Sequence, residues 1–181
     1  MKIIEVSGSG LFEVYLEPKP DHRGFFLRTY CARMFQEAGL NINWLQSNLS
    51  TSTKKGTIRG MHFQYPPHGE IKLVRCVKGS ILDTVIDVRK NSSTFLKYFQ
   101  FELTQENLKM LYIPIGFAHG FQTLEDNCEV NYMVSEFYNI KSEGGIRYND
   151  PKINISWPLP CSEISDKDIN HQLITDNFIG I

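Results

Sequence analysis

His62, Arg59, Arg75, Lys72 and Gln64 fall in one stretch, Lys55 to Arg75, among apolar and β-branched residues that favour strands. An imidazole beside cationic groups on a rigid sheet suits a polar, anionic ligand. Alternate strand residues share a face, so His62 points the same way as Gly60 and Gln64, and Arg59 points the other way. A bulge at Gly60 would turn Arg59 back towards His62, and glycine is the residue that permits one. The competing reading is an edge strand with a solvated basic face.

The elements that must position these groups are mostly short strands. Residues 11–16 read as a strand stopped by Pro18 and Pro20, and residues 21–26 as a turn at Gly24 leading into an aromatic strand. Residues 32–39 predict a helix: good helix formers, apolar residues at helical spacing, and Gly39 as a stop. Residues 44–48 lead through a polar turn into the central stretch. Strand-like runs follow at 72–77, 81–88, 95–103, 111–114, 121–124 and 129–138. Turn signals every ten or so residues point to an all-β sandwich or barrel. Residues 142–160 read as irregular, and a short helix is expected near Asp166. With no linker, repeat or low-complexity segment, residues 1–181 are expected to form a single domain.

Composition narrows the partners. The 181 residues, 41% hydrophobic and 12% aromatic, suit one domain with a sizeable core. A net charge of −1 gives no electrostatic case for nucleic acid or an anionic membrane as the main partner. No run approaches the ~18 apolar residues of a membrane span, and the N-terminus lacks a signal-peptide core. A cytoplasmic location is expected. Cys31, Cys76, Cys128 and Cys161 form no C-x-x-C pair and read as unpaired thiols in a reducing compartment.

Two patterns carry a resemblance. Gly56, then His62-x-Gln64, Glu70 and Gly79 resemble the first signature motif of cupins, the double-stranded β-helix (jelly-roll) barrels. Pro114-x-Gly116-x-x-His119 resembles the second. Metal-binding cupins take two histidines and a glutamate from the first motif and a histidine from the second. Here Gln64 replaces one histidine and Glu70 lies late, so the ligand set is damaged; a metal-dependent cupin enzyme using His62, Glu70 and His119 is a rival reading.

At finer grain the chain is similar to the dTDP-4-dehydrorhamnose 3,5-epimerase family of cupins. The matching pieces run in order from about residue 11 to residue 168. They include Asp21-x-Arg23-Gly24-Phe25-Phe26, Gln46-x-Asn48-x-Ser50, Arg59-Gly60-x-His62-Phe63-Gln64 and Lys72-Leu73-Val74-Arg75. Asp87-Val88-Arg89, Pro114-x-Gly116-Phe117-Ala118-His119-Gly120-Phe121, Tyr132, Tyr138, Trp157-Pro158 and Ser165-x-Lys167-Asp168 complete them.

The resemblance implies epimerisation at C3, C5 or both of a nucleotide-linked 4-keto-6-deoxy sugar, with no metal or organic cofactor. Inverting a carbon beside a ketone needs a base on one face, an acid on the other and a group to stabilise the enolate between them. Histidine is the natural base at neutral pH. The family assigns that role to His62, supported by Asp168, with Tyr132 as the opposing acid and Lys72 beside the developing oxyanion. It assigns phosphate binding to Arg23, Arg59 and His119, and nucleotide-side contacts to Phe26, Gln46 and Asn48. Tyr138 is also in family register.

The resemblance further implies a homodimer whose N-terminal segment, with Arg23 and Phe26, serves the partner's site. Asp83 is expected on a strand beside Lys72, holding its ammonium. Departures fall on binding positions: Arg28 stands where the family has glutamate, Tyr148 where tryptophan is common, and Ser47 where aspartate is frequent. A reversed charge can change which donors a site accepts, which keeps a single-carbon epimerase of a CDP- or GDP-linked sugar as an alternative.

Overall fold

The computed structural model describes residues 1–181. Its elements are β1 (Lys2–Glu5), β2 (Phe12–Tyr15), β3 (Lys19–Asp21), β4 (Gly24–Phe26), α1 (Ala32–Glu37), β5 (Gln46–Ser52), β6 (Ile58–Gln64) and β7 (Lys72–Lys78). They continue as β8 (Ser80–Asp87), β9 (Tyr98–Thr104), β10 (Lys109–Ile113), β11 (Phe117–Thr123), β12 (Cys128–Val134), β13 (Glu143–Gly145) and α2 (Asp166–Ile169). β1 had no sequence signal. β9 starts after the predicted residue 95, because residues 92–97 form successive turns. β11 starts earlier than predicted, directly after the turn at Gly116.

Two antiparallel sheets face each other. One is ordered β1-β2-β10-β7-β12-β5 and the other β13-β6-β11-β8-β9. Strand alternation makes this a sandwich: Val74, Cys76 and Val130 point in from the first sheet, and Ile81, Val85, Phe117 and Phe121 from the second. All are buried, and together they form the central core. The opposite faces are not bare. Met61, Phe63, Ile86 and Ala118 meet the C-terminal segment through Ile146, Ile155 and Ile174. Leu73, Met110 and Tyr112 are covered by Phe35 of α1 and by Trp44. This is the all-β cupin-type barrel with short helices that the sequence implied.

One element stands apart. β3 and β4 pair only with each other, through Lys19↔Phe26 and Asp21↔Gly24. Residues 17–26 are exposed throughout. Phe25 and Phe26 each leave 58% of their surface open.

Candidate active site

The apolar core does not fill the sandwich to its end. Along β7 the inward series Cys76, Val74 changes to Lys72; along β12 the series Cys128, Val130 changes to Tyr132. On the facing sheet, Asp83 and His119 interrupt the apolar positions of β8 and β11. The result is a cavity of about 960 Å³ whose lining includes Arg59, His62, Lys72, His119, Tyr132 and Asp168.

β6 delivers two side chains to this cavity because it carries a bulge. His62 pairs with His119 and Arg59 with Phe121, so Gly60 and Met61 together oppose Gly120. Gly60 has φ +116°, and a Cβ there would meet the Gly120 backbone at 2.6 Å. Glycine is required, and the bulge turns Arg59 and His62 to the same side. Gln64 is not in the cavity: its amide donates to the His68 and Phe137 carbonyls, and its oxygen accepts from the Asn139 N–H. Arg75 lies on the outward face of β7, opposite in phase to Lys72.

His62 Nε2 lies 2.7 Å from Asp168 Oδ1. The carboxylate is reached from far along the chain by α2, whose N-cap Ser165 accepts the Asp168 N–H at 3.1 Å. Gly60 N–H donates to the other oxygen at 3.0 Å. Burial pushes the Asp168 carboxyl up, but the His62 contact and the Gly60 N–H outweigh it and hold the group below the usual carboxylate range. An ionised carboxylate only accepts. His62 Nε2 therefore carries the proton, and Nδ1 is left with a free lone pair. A carboxylate behind the ring and an open Nδ1 in front of it are the arrangement a supported base would need.

Lys72 is paired with Glu70, not with Asp83. The expected Asp83 contact fails because β8 lies in the opposite sheet from β7. Asp83, fully buried, instead holds His119 Nε2 at 2.9 Å. Burial raises the Asp83 carboxyl, and the imidazole offsets only part of that. Glu70 and His119 are thus each engaged elsewhere, and the rival metal set of His62, Glu70 and His119 is not assembled. Tyr132 has its phenol pushed up by burial and by the Glu70 charge, with Arg59 acting against them, so it keeps its proton at neutral pH. Arg59 is braced on β5, donating to Ser52 Oγ at 3.0 Å and to the Thr51 carbonyl at 2.7 Å.

Gln46 and Asn48 share the inward phase of β5 with Ser50, but of the three only Ser50 lines the cavity. The remaining predicted residues lie farther out. Arg23 sits on the projecting hairpin, paired with Asp21 at 2.8 Å and 78% exposed. Phe26 and Arg28 are also exposed, and Tyr138 donates to Glu143 at 3.2 Å on the surface. Sequence reasoning weighed Glu70 only as a metal ligand, whereas it lies two residues before Lys72 and pairs with it. It missed His171. His171 follows Asp168 by three, the spacing that puts two residues on one side of a helical turn.

The match to the family model described as dTDP-4-dehydrorhamnose 3,5-epimerase runs over residues 5–176. The chain belongs to the dTDP-4-dehydrorhamnose 3,5-epimerase family. The chain is 45% identical to the enzyme of that name from Shigella flexneri over 163 residues, covering 88% of this chain and 90% of the relative. The crystal structure of the Elizabethkingia anophelis enzyme superposes with a TM-score of 0.92 at 36% identity, covering 98% of both chains. A dTDP-6-deoxy-D-glucose-3,5-epimerase from Legionella pneumophila, solved in complex with dTDP-4-keto-L-rhamnose, gives 0.89 at 34% identity, over 95% of this chain and 92% of that one.

Proposed function

We propose that this epimerase inverts C3 and C5 of a dTDP-linked 4-keto-6-deoxyhexose, in the biosynthesis of a deoxysugar. The observation that carries the reading is the His62–Asp168 pair sharing one cavity with Lys72 and Tyr132. His62 Nδ1 takes the proton from the carbon beside the ketone. The electron pair moves onto the C4 oxygen, where the ammonium of Lys72, a side chain only 11% exposed, offsets the developing charge. Tyr132, protonated, returns a proton to the opposite face; the phenolate recovers a proton from solvent, and His62 gives up the one it took. The same cycle at the second carbon completes the inversion. No step requires a cofactor.

Arg59 and His119 are the diphosphate ligands in this reading. Gln46 and Asn48 lie towards the nucleotide, where Tyr138 also serves. The projecting β3–β4 hairpin supports a homodimer in which Arg23 and Phe26 complete the partner's site, with Arg28 close by. Two exposed phenylalanines on a hairpin that pairs with no other strand of its own chain suit such an exchange. No helix is long and apolar enough to cross a membrane, and cytoplasmic sugar-nucleotide metabolism is the proposed setting.

The test is proton NMR in deuterated water with the 4-keto-6-deoxy sugars linked to dTDP, CDP and GDP. Deuterium entering C3 and C5 of the dTDP sugar is the expected result. Exchange at one carbon only, or only with another nucleotide, would replace the substrate assignment, and no exchange with any of them would overturn the epimerase reading.

A further inference from the structure

Just past the end of α2, His171 turns its ring back against the dyad. The rings of His62 and His171 meet edge to face with centroids 5.9 Å apart. His171 Nε2 lies 3.8 Å from the same Asp168 oxygen that His62 contacts at 2.7 Å. Gly145 permits this approach, since a Cβ there would sit 2.1 Å from the His171 ring. His171 Nε2 is buried without a hydrogen-bond partner, an uncommon state for a polar atom in a folded protein. The donor atoms of His62, Asp168 and His171 all lie within 4.8 Å of one another.

We propose that His62, Asp168 and His171 form an inhibitory Zn²⁺ site that silences the base while the metal is bound. Two imidazoles and a carboxylate are a common zinc donor set that leaves a fourth position open, and two of the three residues, His62 and Asp168, line the cavity. Tetrahedral zinc with bonds of ~2.0–2.2 Å spaces its ligands about 3.4 Å apart. The distances of 2.7 and 3.8 Å fall on either side of that value, so small side-chain rotations close the site.

Binding to the neutral ring releases no net proton. His62 changes tautomer: Nε2 gives its hydrogen to solvent and offers zinc its lone pair, while Nδ1 takes a proton up. Nδ1 then carries the ring hydrogen and has no lone pair left to accept one from a substrate. Binding itself does not depend on the proposed reaction; the inhibitory effect does.

The full-length chain, stripped with EDTA, is titrated with zinc chloride by calorimetry in two buffers of different ionisation enthalpy. His171→Ala and His171→Gln are titrated beside it after their melting temperatures are checked. The expected result is one zinc per chain with little net proton release at pH 8, and affinity weakened at least about tenfold in both variants. Stoichiometric zinc should abolish proton exchange in the unsubstituted enzyme, reversibly with EDTA, and spare His171→Ala. Unchanged zinc affinity in the two folded variants overturns the site. Full exchange activity with zinc bound overturns its inhibitory role. A chain that binds zinc as expected but exchanges no protons even when stripped keeps the site and overturns the proposed reaction.

Discussion

Asp168→Asn is the substitution that separates support of the base from mere burial. The aspartate uses both oxygens, one for His62 Nε2 at 2.7 Å and one for Gly60 N–H at 3.0 Å. Asparagine has the same shape but one acceptor. With its oxygen kept on Gly60, its amide faces His62 and drives the ring proton to Nδ1, the nitrogen proposed to receive the substrate proton. With its oxygen on His62, a donor is set against Gly60 N–H, at about 1–3 kcal/mol for an unsatisfied buried group. Either arrangement also loses a charge-assisted hydrogen bond to the imidazolium, about 1.5–3 kcal/mol. A combined loss of about 3–4 kcal/mol lowers turnover roughly 10²–10³-fold. Diphosphate binding should hardly change, because Arg59 and His119 are untouched. Solvent deuterium exchange into the sugar, followed by NMR, measures the first quantity; calorimetric titration with dTDP measures the second. An exchange rate within tenfold of the parent would refute the assignment of Asp168 as the support of His62.

Tyr132→Phe should permit deuterium exchange while blocking inversion, read as labelled substrate of unchanged configuration; equal loss of both would count against its role as acid. Glu70→Gln strands the Lys72 ammonium, whose side chain is only 11% exposed. It should cost up to about 3 kcal/mol in urea unfolding and lower turnover with dTDP affinity retained, and unchanged turnover would show that Lys72 needs no partner. Asp87 is fully buried and accepts from Arg89, Ser92 and Thr94, so Asp87→Asn should destabilise by about 3 kcal/mol without altering the exchange rate per folded molecule. Burial raises the Asp87 carboxyl, but its Arg89, Ser92 and Thr94 partners hold it below its unfolded value, as Asp168 is also held. Their stabilisation is therefore complete above the unfolded carboxylate range near ~3.9 and is lost as pH falls from there through their lower folded-state values. Acid unfolding followed by circular dichroism should be less steep in Asp87→Asn, and an identical profile would show that this carboxylate does not contribute.

Much of the site was legible because strand alternation and family register agree. His62, Lys72, Tyr132 and Asp168 come together from four separate elements, and Gly60 announced the bulge that puts Arg59 beside His62. What could not be read was which strands face each other. Asp83 and Lys72 are eleven residues apart and look like hairpin neighbours, yet β7 pairs with β10 and β12 while β8 pairs with β11 and β9. Sequence order does not encode that crossing between sheets. Glu70 was overlooked as a partner for Lys72 because it precedes the strand, and was weighed instead as a late metal ligand. His171 belongs to no motif, and only the fold of the C-terminal segment over β6 brings it to Asp168.

The detached β3–β4 hairpin has a consequence for genetics. If its arginine serves the neighbouring subunit, Arg23→Ala and His62→Ala are lesions carried by different chains of the same site. A mixed dimer of the two inactive chains then contains one site with both lesions and one with neither. Co-expressing the two alleles should restore growth-linked function that neither supports alone, while two alleles altered at His62 and Lys72 should not complement.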